Sequence, residues 1–191
     1  MLFRIKSYFL FLLKSTNQHG VHSPFIYNLV TKCLYDRKKR KSYNKIKSII
    51  QSSPNIGINL SSGKILNRVI PYFNYQNILV IEKKSNTISQ IASLDNTISV
   101  HNSTEENQYF DLIFLDIDTY KADTDILEVI IEKTHNDSLL LINSIRSSTE
   151  NLKIWESIQK RSKVTVTVDI YSLGFVFFRT EQAKEHFTIR K

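Results

Sequence analysis

Phe110-Asp111-Leu112-Ile113-Phe114-Leu115-Asp116 is the stretch on which the fold turns. Its apolar residues are consecutive, not alternating, which suits a strand covered on both faces, as in a parallel sheet. The closing acid marks where such a strand meets solvent. Two other segments share the texture: Asn77-Ile78-Leu79-Val80-Ile81-Glu82 before it and Ser138-Leu139-Leu140-Leu141-Ile142 after it. Between and beyond them lie helical patterns. Thr87–Ser93 reads as a brief helix, followed by a short strand at Ile98–Val100. Ala122–Thr134 is amphipathic through Ile126, Leu127, Ile130 and Ile131, and Thr149–Arg161 carries the single tryptophan, Trp155. Val164–Asp169 and Gly174–Arg179 are rich in β-branched and aromatic residues and read as two last strands. Ile170–Leu173 is too short for a parallel crossover, which needs a dozen or more residues. The pattern predicts an α/β, Rossmann-like doubly wound sheet of about five or six strands with helices on both faces. That sheet is mainly parallel and closes with an antiparallel C-terminal edge hairpin.

Working back from the first strand, residues 64–73 look helical, with Ile65, Leu66, Val69 and Ile70 on one face. Residues 56–62 show no clear pattern, and Ser52-Ser53-Pro54-Asn55 is a break. Upstream the chain predicts three helices: residues 2–14, a helix opened by Ser23 at N-cap and Pro24 at N1 and running to about Tyr35, and one from about Ser42 to Gln51. His19-Gly20-Val21-His22 is a loop. The division expected from this is a basic helical N-terminal arm, residues 1–55, and an α/β domain, residues 56–191.

Charge follows the same division. Residues 1–50 hold eleven Lys and Arg and one acid, Asp36, a net +10; residues 51–191 hold fifteen and seventeen, a net −2; together they give the formal +8. The densest run is Arg37-Lys38-Lys39-Arg40-Lys41. Runs of this kind are usually solvated, and their functional use is an anionic partner: a membrane surface, a nucleic acid or an acidic protein. No aromatic platform is interleaved with the run for base stacking. The abundance of Ile (25) and Asn (15) suggests an AT-rich source, which also inflates Lys.

The chain of 191 residues is 41% hydrophobic, enough for one packed domain. One cysteine, Cys33, excludes a disulfide framework and a cysteine-rich zinc site and fits a cytoplasmic setting. Near the N-terminus, Tyr8-Phe9-Leu10-Phe11-Leu12-Leu13 is too short for a signal h-region, has no small-residue cleavage site after it, and is far below the roughly 20 residues of a membrane span. As a helix, residues 2–14 put Leu2, Ile5, Phe9, Leu12 and Leu13 beside Arg4, Lys6 and Lys14, allowing packing on the domain or a partner, or a peripheral position on the inner membrane. There are four glycines, Gly20, Gly57, Gly63 and Gly174, where average usage of about 7% predicts roughly thirteen. None falls between Gly63 and Gly174, so the middle of the chain holds no glycine-rich phosphate or dinucleotide loop.

Residues 17–36 (Asn-Gln-His-Gly-Val-His-Ser-Pro-Phe through Cys-Leu-Tyr-Asp) resemble the start of a group of bacterial class I S-adenosylmethionine-dependent methyltransferase-like proteins. Residues 110–191 resemble its second half through His135-Asn136-Asp137-Ser138, Lys163-Val164-Thr165-Val166-Thr167-Val168-Asp169, Gly174-Phe175-Val176-Phe177-Phe178-Arg179 and Lys184-Glu185-His186-Phe187. With the helix at 64–73 the resemblance covers about two thirds of the chain. It implies an S-adenosylmethionine site on an acid-x-Gly-x-Gly loop after the first strand, and an acid at the end of the next strand for the ribose hydroxyls.

The departures from that pattern carry the functional expectation. Here the first strand runs into Glu82-Lys83-Lys84-Ser85-Asn86, with no glycine and two lysines. Ile78 and Asp111 are 33 residues apart, where two successive βαβ units need roughly 60. The simplest account joins the start of the first strand to the end of the second, deletes the glycine loop and its helix, and leaves Glu82 where the ribose-binding acid would stand. The fourth family strand ends in Asp before a Gly-containing turn; this chain has Asp116 but then Ile117-Asp118-Thr119-Tyr120. The fifth ends in an acidic pair; here those positions read Asn143-Ser144.

The cofactor candidates are therefore Glu82, Asp116 and Asn143, and the catalytic candidates are Asp116 and Asp118, for which capping a turn is the commoner role. Arg37, Lys38, Lys39, Arg40 and Lys41 are the candidates for an anionic surface. His19 and His22 more often shape a loop than hold a metal. His101, His135 and His186 lack metal spacing. Cys33 reads as buried and inert, and Trp155 and Tyr171 as packing. No metal and no cofactor are expected. The resulting expectation is a shortened, degenerate methyltransferase-like protein, non-catalytic, that binds a protein partner or an anionic membrane surface through residues 1–50. One alternative is an active methyltransferase using S-adenosylmethionine, its atypical loop completed by residues 56–63 with Gly57 and Gly63. Another is a nucleic-acid-binding protein using the arm.

Overall fold

The computed structural model describes residues 2–53, 57–82, 86–94, 97–105, 107–119 and 124–191. Strands β1 (Asn77–Ile81), β2 (Ser99–His101), β3 (Phe110–Asp116), β4 (Thr134–Asn143), β5 (Val166–Asp169), β6 (Leu173–Phe177) and β7 (Glu185–Thr188) form one sheet in the order β2-β1-β3-β4-β6-β5-β7. The first four run parallel. β6 is antiparallel to both β4 and β5, with Val166 opposite Phe177 and Asp169 opposite Gly174, so the final pair is antiparallel as the short connection requires. β7 was not foreseen. Glu185-His186-Phe187-Thr188 is too short to show a strand pattern, and it becomes one by pairing parallel with the open side of β5. The antiparallel pair thus lies one strand in from the edge.

Strand side chains alternate between two apolar layers, which is why the sequence shows unbroken apolar runs. On one face Ile78, Val80, Leu112, Phe114, Leu139 and Leu141 join a buried cluster that includes Ile26, Leu29, Val30, Leu34, Ile46, Ile65 and Ile91. These last come from α2 (Pro24–Asn28), the wider π-helical turns of residues 29–34, α3 (Ser42–Gln51), α4 (Leu60–Phe73) and α5 (Thr87–Ser93). On the other face Leu79, Ile81, Ile113, Leu115, Leu140 and Ile142 pack under α6 (Thr124–Glu132) and α7 (Thr149–Lys160), with Trp155 buried. A Cβ at Gly174 would stand 2.4 Å from Cζ3 of Trp155, so that glycine is required by the indole.

Local chemistry sets the helix starts. Ser23 Oγ accepts from the Ile26 amide and Pro24 takes the first turn. The helix it opens does not stay α to Tyr35 but widens at Leu29. α4 begins earlier than its apolar periodicity predicts, because Asn59 Oδ1 accepts from the Ser62 amide at 2.9 Å. Gly63 is therefore inside a helix, packed on Ile46 and Ile50 of α3, and belongs to no loop. Helix α1 (Leu2–Lys14) has the predicted bounds. It is fastened to the carboxyl end of β7 through Thr16, whose amide donates to Thr188 O at 2.9 Å and whose carbonyl accepts from the Arg190 amide at 3.0 Å. No helix among the described residues is long and apolar enough to cross a membrane.

Candidate functional site

The chain runs from β1 to β2 on one side and returns to β3 on the other, so the strand order reverses at β1 and β3. In open α/β sheets ligands bind beyond the carboxyl ends of the strands at such a reversal. Glu82 and Asp116 stand there.

Glu82 follows β1, and its carboxylate turns onto its own chain. Oε2 accepts from the Ile88 amide at 3.2 Å, and Oε1 from the Ser89 amide at 3.4 Å and the Ser89 hydroxyl at 3.2 Å. It thereby satisfies the first amides of α5, where a helix favours negative charge. β1 is a whole central strand with its own helix, α5, and its own parallel neighbour, β2. Glu82 thus follows the strand that lies between β2 and β3. Among the described residues the sheet ends at β2, with no strand outside it. After β2 comes Asn102, an amide, whose Oδ1 lies 3.1 Å from Ser89 Oγ. Lys83 and Lys84 lie outside the described residues.

Asp116 ends β3 beside Asn143, which ends β4 in register with it. Its Oδ1 accepts from the Asp118 amide at 3.1 Å, closing the turn after the strand, and its Oδ2 accepts from Asn143 Nδ2 at 3.2 Å. Asn143 Nδ2 also lies 3.1 Å from Ser144 Oγ. The backbone of Gly57 roofs this group: a Cβ there would be 2.4 Å from Asp116 Oδ2 and 3.4 Å from Asn143 Nδ2. Burial pushes the Asp116 carboxyl above the usual carboxylate range, against the hydrogen bonds from Asn143, Ser144 and the Asp118 amide. Asp118 Oδ1 accepts from the Ser147 hydroxyl at 2.9 Å and Asn151 Nδ2 at 3.0 Å.

Beside this group opens a cleft of about 380 Å³. Gly57, Asn59, Asp118, Asn143, Ser144 and Ser147 form one part of its wall, and Arg4, Arg146, Tyr171 and Ser172 the rest. Arg146 is fixed by Asp169, which accepts from its Nε at 2.9 Å, and by the Phe11 ring 5.5 Å from its guanidinium carbon. Tyr171 packs edge-on to Tyr8 and Phe11 and donates its hydroxyl to Arg4 O at 3.0 Å, so α1 forms one rim. Ser144 (φ 65°) and Tyr171 (φ 74°) hold left-handed backbone, a strained state that persists where surrounding contacts enforce it. The contributions of Arg4, Arg146 and Tyr171 had no signal in the sequence, since three distant segments supply them.

The other candidates fall elsewhere. Arg37, Lys38, Lys39 and Lys41 are exposed, and Arg40 turns to Asp36 at 3.2 Å; none of the five lines the cleft. Cys33 is buried, and burial pushes its thiol up to about 12. His19 and His22 are exposed; His135 lies 3.1 Å from Asp111, the aspartate that also accepts from the amides of Gln76 and Asn77. Among the described residues no three His, Cys, Asp or Glu side chains converge to hold a metal ion.

No family model matches this chain, and no curated protein matches it. Solved structures do resemble it. A putative caffeoyl-CoA O-methyltransferase from Staphylococcus aureus aligns with a TM-score of 0.53 at 12% identity, over 73% of this chain and 93% of that one. A methyltransferase from Geobacter sulfurreducens gives 0.53 at 14%, over 76% and 91%. The O-methyltransferase TomG of Streptomyces achromogenes, involved in tomaymycin synthesis and solved with SAM, gives 0.52 at 11%, over 86% and 99%. The fold is the Rossmann-like methyltransferase fold.

Proposed function

We propose that this chain is a methyltransferase-like protein that does not transfer methyl groups and acts by binding a protein or an anionic surface. The observation that carries the reading is Glu82, whose carboxylate is committed to the first amides of α5. In the family the resemblance points to, amides and an acid at this end of the sheet face the cofactor; here they face each other. Two further features support it. β2, the strand on the outer side of β1, is followed by Asn102, not by an acid able to hold ribose hydroxyls. The end of β4 offers a neutral amide and hydroxyl beside the roofed carboxylate of Asp116, and the nearby Asp118 carboxylate accepts from Ser147 and Asn151, a weak donor set for a divalent cation, which takes several oxygen ligands, carboxylates foremost. These residues do not suit S-adenosylmethionine or a catalytic metal.

A second reading, an active S-adenosylmethionine-dependent methyltransferase, is favoured by the cleft and by the close approach of the Gly57 backbone at its rim. Isothermal titration of the full chain with S-adenosylmethionine separates the two. The expected result is no binding tighter than millimolar, since losing several contacts of about 1–3 kcal/mol each takes a micromolar site that far. A Kd below about 50 μM would require an intact site and would overturn the first reading.

A further inference from the structure

Helix α1 is docked on the protein by the wrong face for a helix of its composition. Its buried side chains are Ser7 and Phe11, followed by Ser15 just beyond its end. Four of its apolar residues point away: Leu2 and Leu13 are each 83% exposed, Phe9 62% and Ile5 49%. At about 100° per residue, Ile5, Phe9, Leu2 and Leu13 fall within about 80° of arc, centred opposite Phe11. The arrangement is not an idle end awaiting burial. Thr16 ties the helix to β7, Tyr171 holds Arg4 O, and Arg190 Nη1 donates to Ser15 O at 3.2 Å. The stripe is thus presented outward by a fixed helix, and contiguous apolar surface of this kind marks an interaction site.

We propose that this outward stripe of α1 lies on an anionic lipid bilayer, with Leu2, Ile5, Phe9 and Leu13 sunk to the acyl boundary. This names the partner within the binding function above, and it stands whether or not the cleft takes a cofactor. Charge selects the occupant. Lys6 and Lys14 are the cations of α1 outside the cleft wall, which takes Arg4, and the first acid in the chain is Asp36, already held by Arg40. Lys6 borders the stripe in the helical projection, as in interfacial helices that combine apolar insertion with attraction to anionic headgroups. A second copy of the chain would set cationic helix against cationic helix, with no acid on either to offset the repulsion. At thirteen residues the helix is about 20 Å long, enough to lie in the interface and too short to span it.

The test is co-sedimentation of the full chain with vesicles of phosphatidylcholine alone and of phosphatidylcholine with 30% phosphatidylglycerol (about a third anionic lipid, in the range where surface potential acts on cations). Binding is expected on the anionic vesicles, weakened by salt, and at least tenfold weaker in the double variant Phe9→Glu, Leu13→Glu. Both positions are exposed, so the variant should keep the wild-type circular dichroism and Trp155 emission. A Phe9→Trp variant gives a second readout: its added emission should shift to the blue on anionic vesicles. No binding to anionic vesicles by the wild type would overturn the proposal. So would equal binding by the double variant, which would assign the interaction to the 37–41 run. A wild-type dimer in solution that the double variant disperses would give the stripe to a second copy. S-adenosylmethionine titration enters none of these outcomes, so the failure of one reading leaves the other measurable.

Discussion

Asp116 ends β3 with both carboxylate oxygens occupied by neighbours, the Asp118 amide and Asn143 Nδ2. It lies under the backbone of Gly57, and burial holds its carboxyl above the usual carboxylate range. A folded-state pKa raised above the unfolded value of 3.8 means that the folded chain keeps this proton to higher pH than the unfolded chain does. Between the two values the folded state binds more protons, so this group's contribution to stability falls as pH rises through that window. Asp116→Asn removes the charge that burial disfavours and leaves an amide able to pair with Asn143. Urea denaturation at pH 4, 5.5 and 7 (spanning the ordinary carboxylate range and neutrality) should show the variant gaining on the wild type as pH rises. A wild type that gains on the variant over the same range would refute the burial argument. Asp116, Asp118 and Asn143 were each singled out by their place at or just past a strand end, and the structure brings them into one group. Glu82, singled out in the same way, accepts from the amides of Ile88 and Ser89, a cap that apolar patterning does not report.

At the scale of elements, α4 and α5 depend on their caps. The Leu60-Ser61-Ser62-Gly63 start of α4 is poor in helix formers, which hid it from a periodicity search. Asn59 compensates by accepting from the Ser62 amide. Asn59→Ala should therefore cost about 1 kcal/mol of stability, read as a lower urea midpoint at unchanged m-value. An unchanged midpoint would mean that packing of Ile65, Leu66 and Val69 alone fixes the start. α5, with seven residues, is far too short to persist by itself. It exists because Ile88, Ile91 and Ala92 enter the buried layer and Glu82 closes its N-terminus. β7 is likewise made by its neighbour, since its four residues carry no pattern of their own.

At the scale of the molecule, the charge boundary near residue 50 does not mark the edge of the core. Ile26, Leu29, Val30 and Ile46 share one buried cluster with β1, β3 and β4. Trp155 reports the opposite layer. Thermal unfolding should accordingly give a single transition, coincident by far-ultraviolet circular dichroism and by Trp155 fluorescence. An earlier loss of helix with Trp155 emission intact would show that residues 1–55 fold as a unit of their own. Much of the excess positive charge stays on the surface of this body, and α1 adds an apolar stripe to it.

What the sequence determined by itself is the sheet and its two faces. Unbroken apolar runs of Leu, Ile and Phe can be satisfied only by burial on both sides, and a four-residue connection can join only antiparallel neighbours. It also fixed the extent of α1, because thirteen helix-compatible residues precede a polar break at Ser15-Thr16-Asn17. The tertiary structure alone decided which side of α1 faces out and which residues wall the cleft. Those depend on contacts between segments more than a hundred residues apart, such as Arg4 with Tyr171 and Thr16 with Thr188. Local periodicity records how polar a face is, whereas the partner that covers it is fixed only when the distant chain arrives.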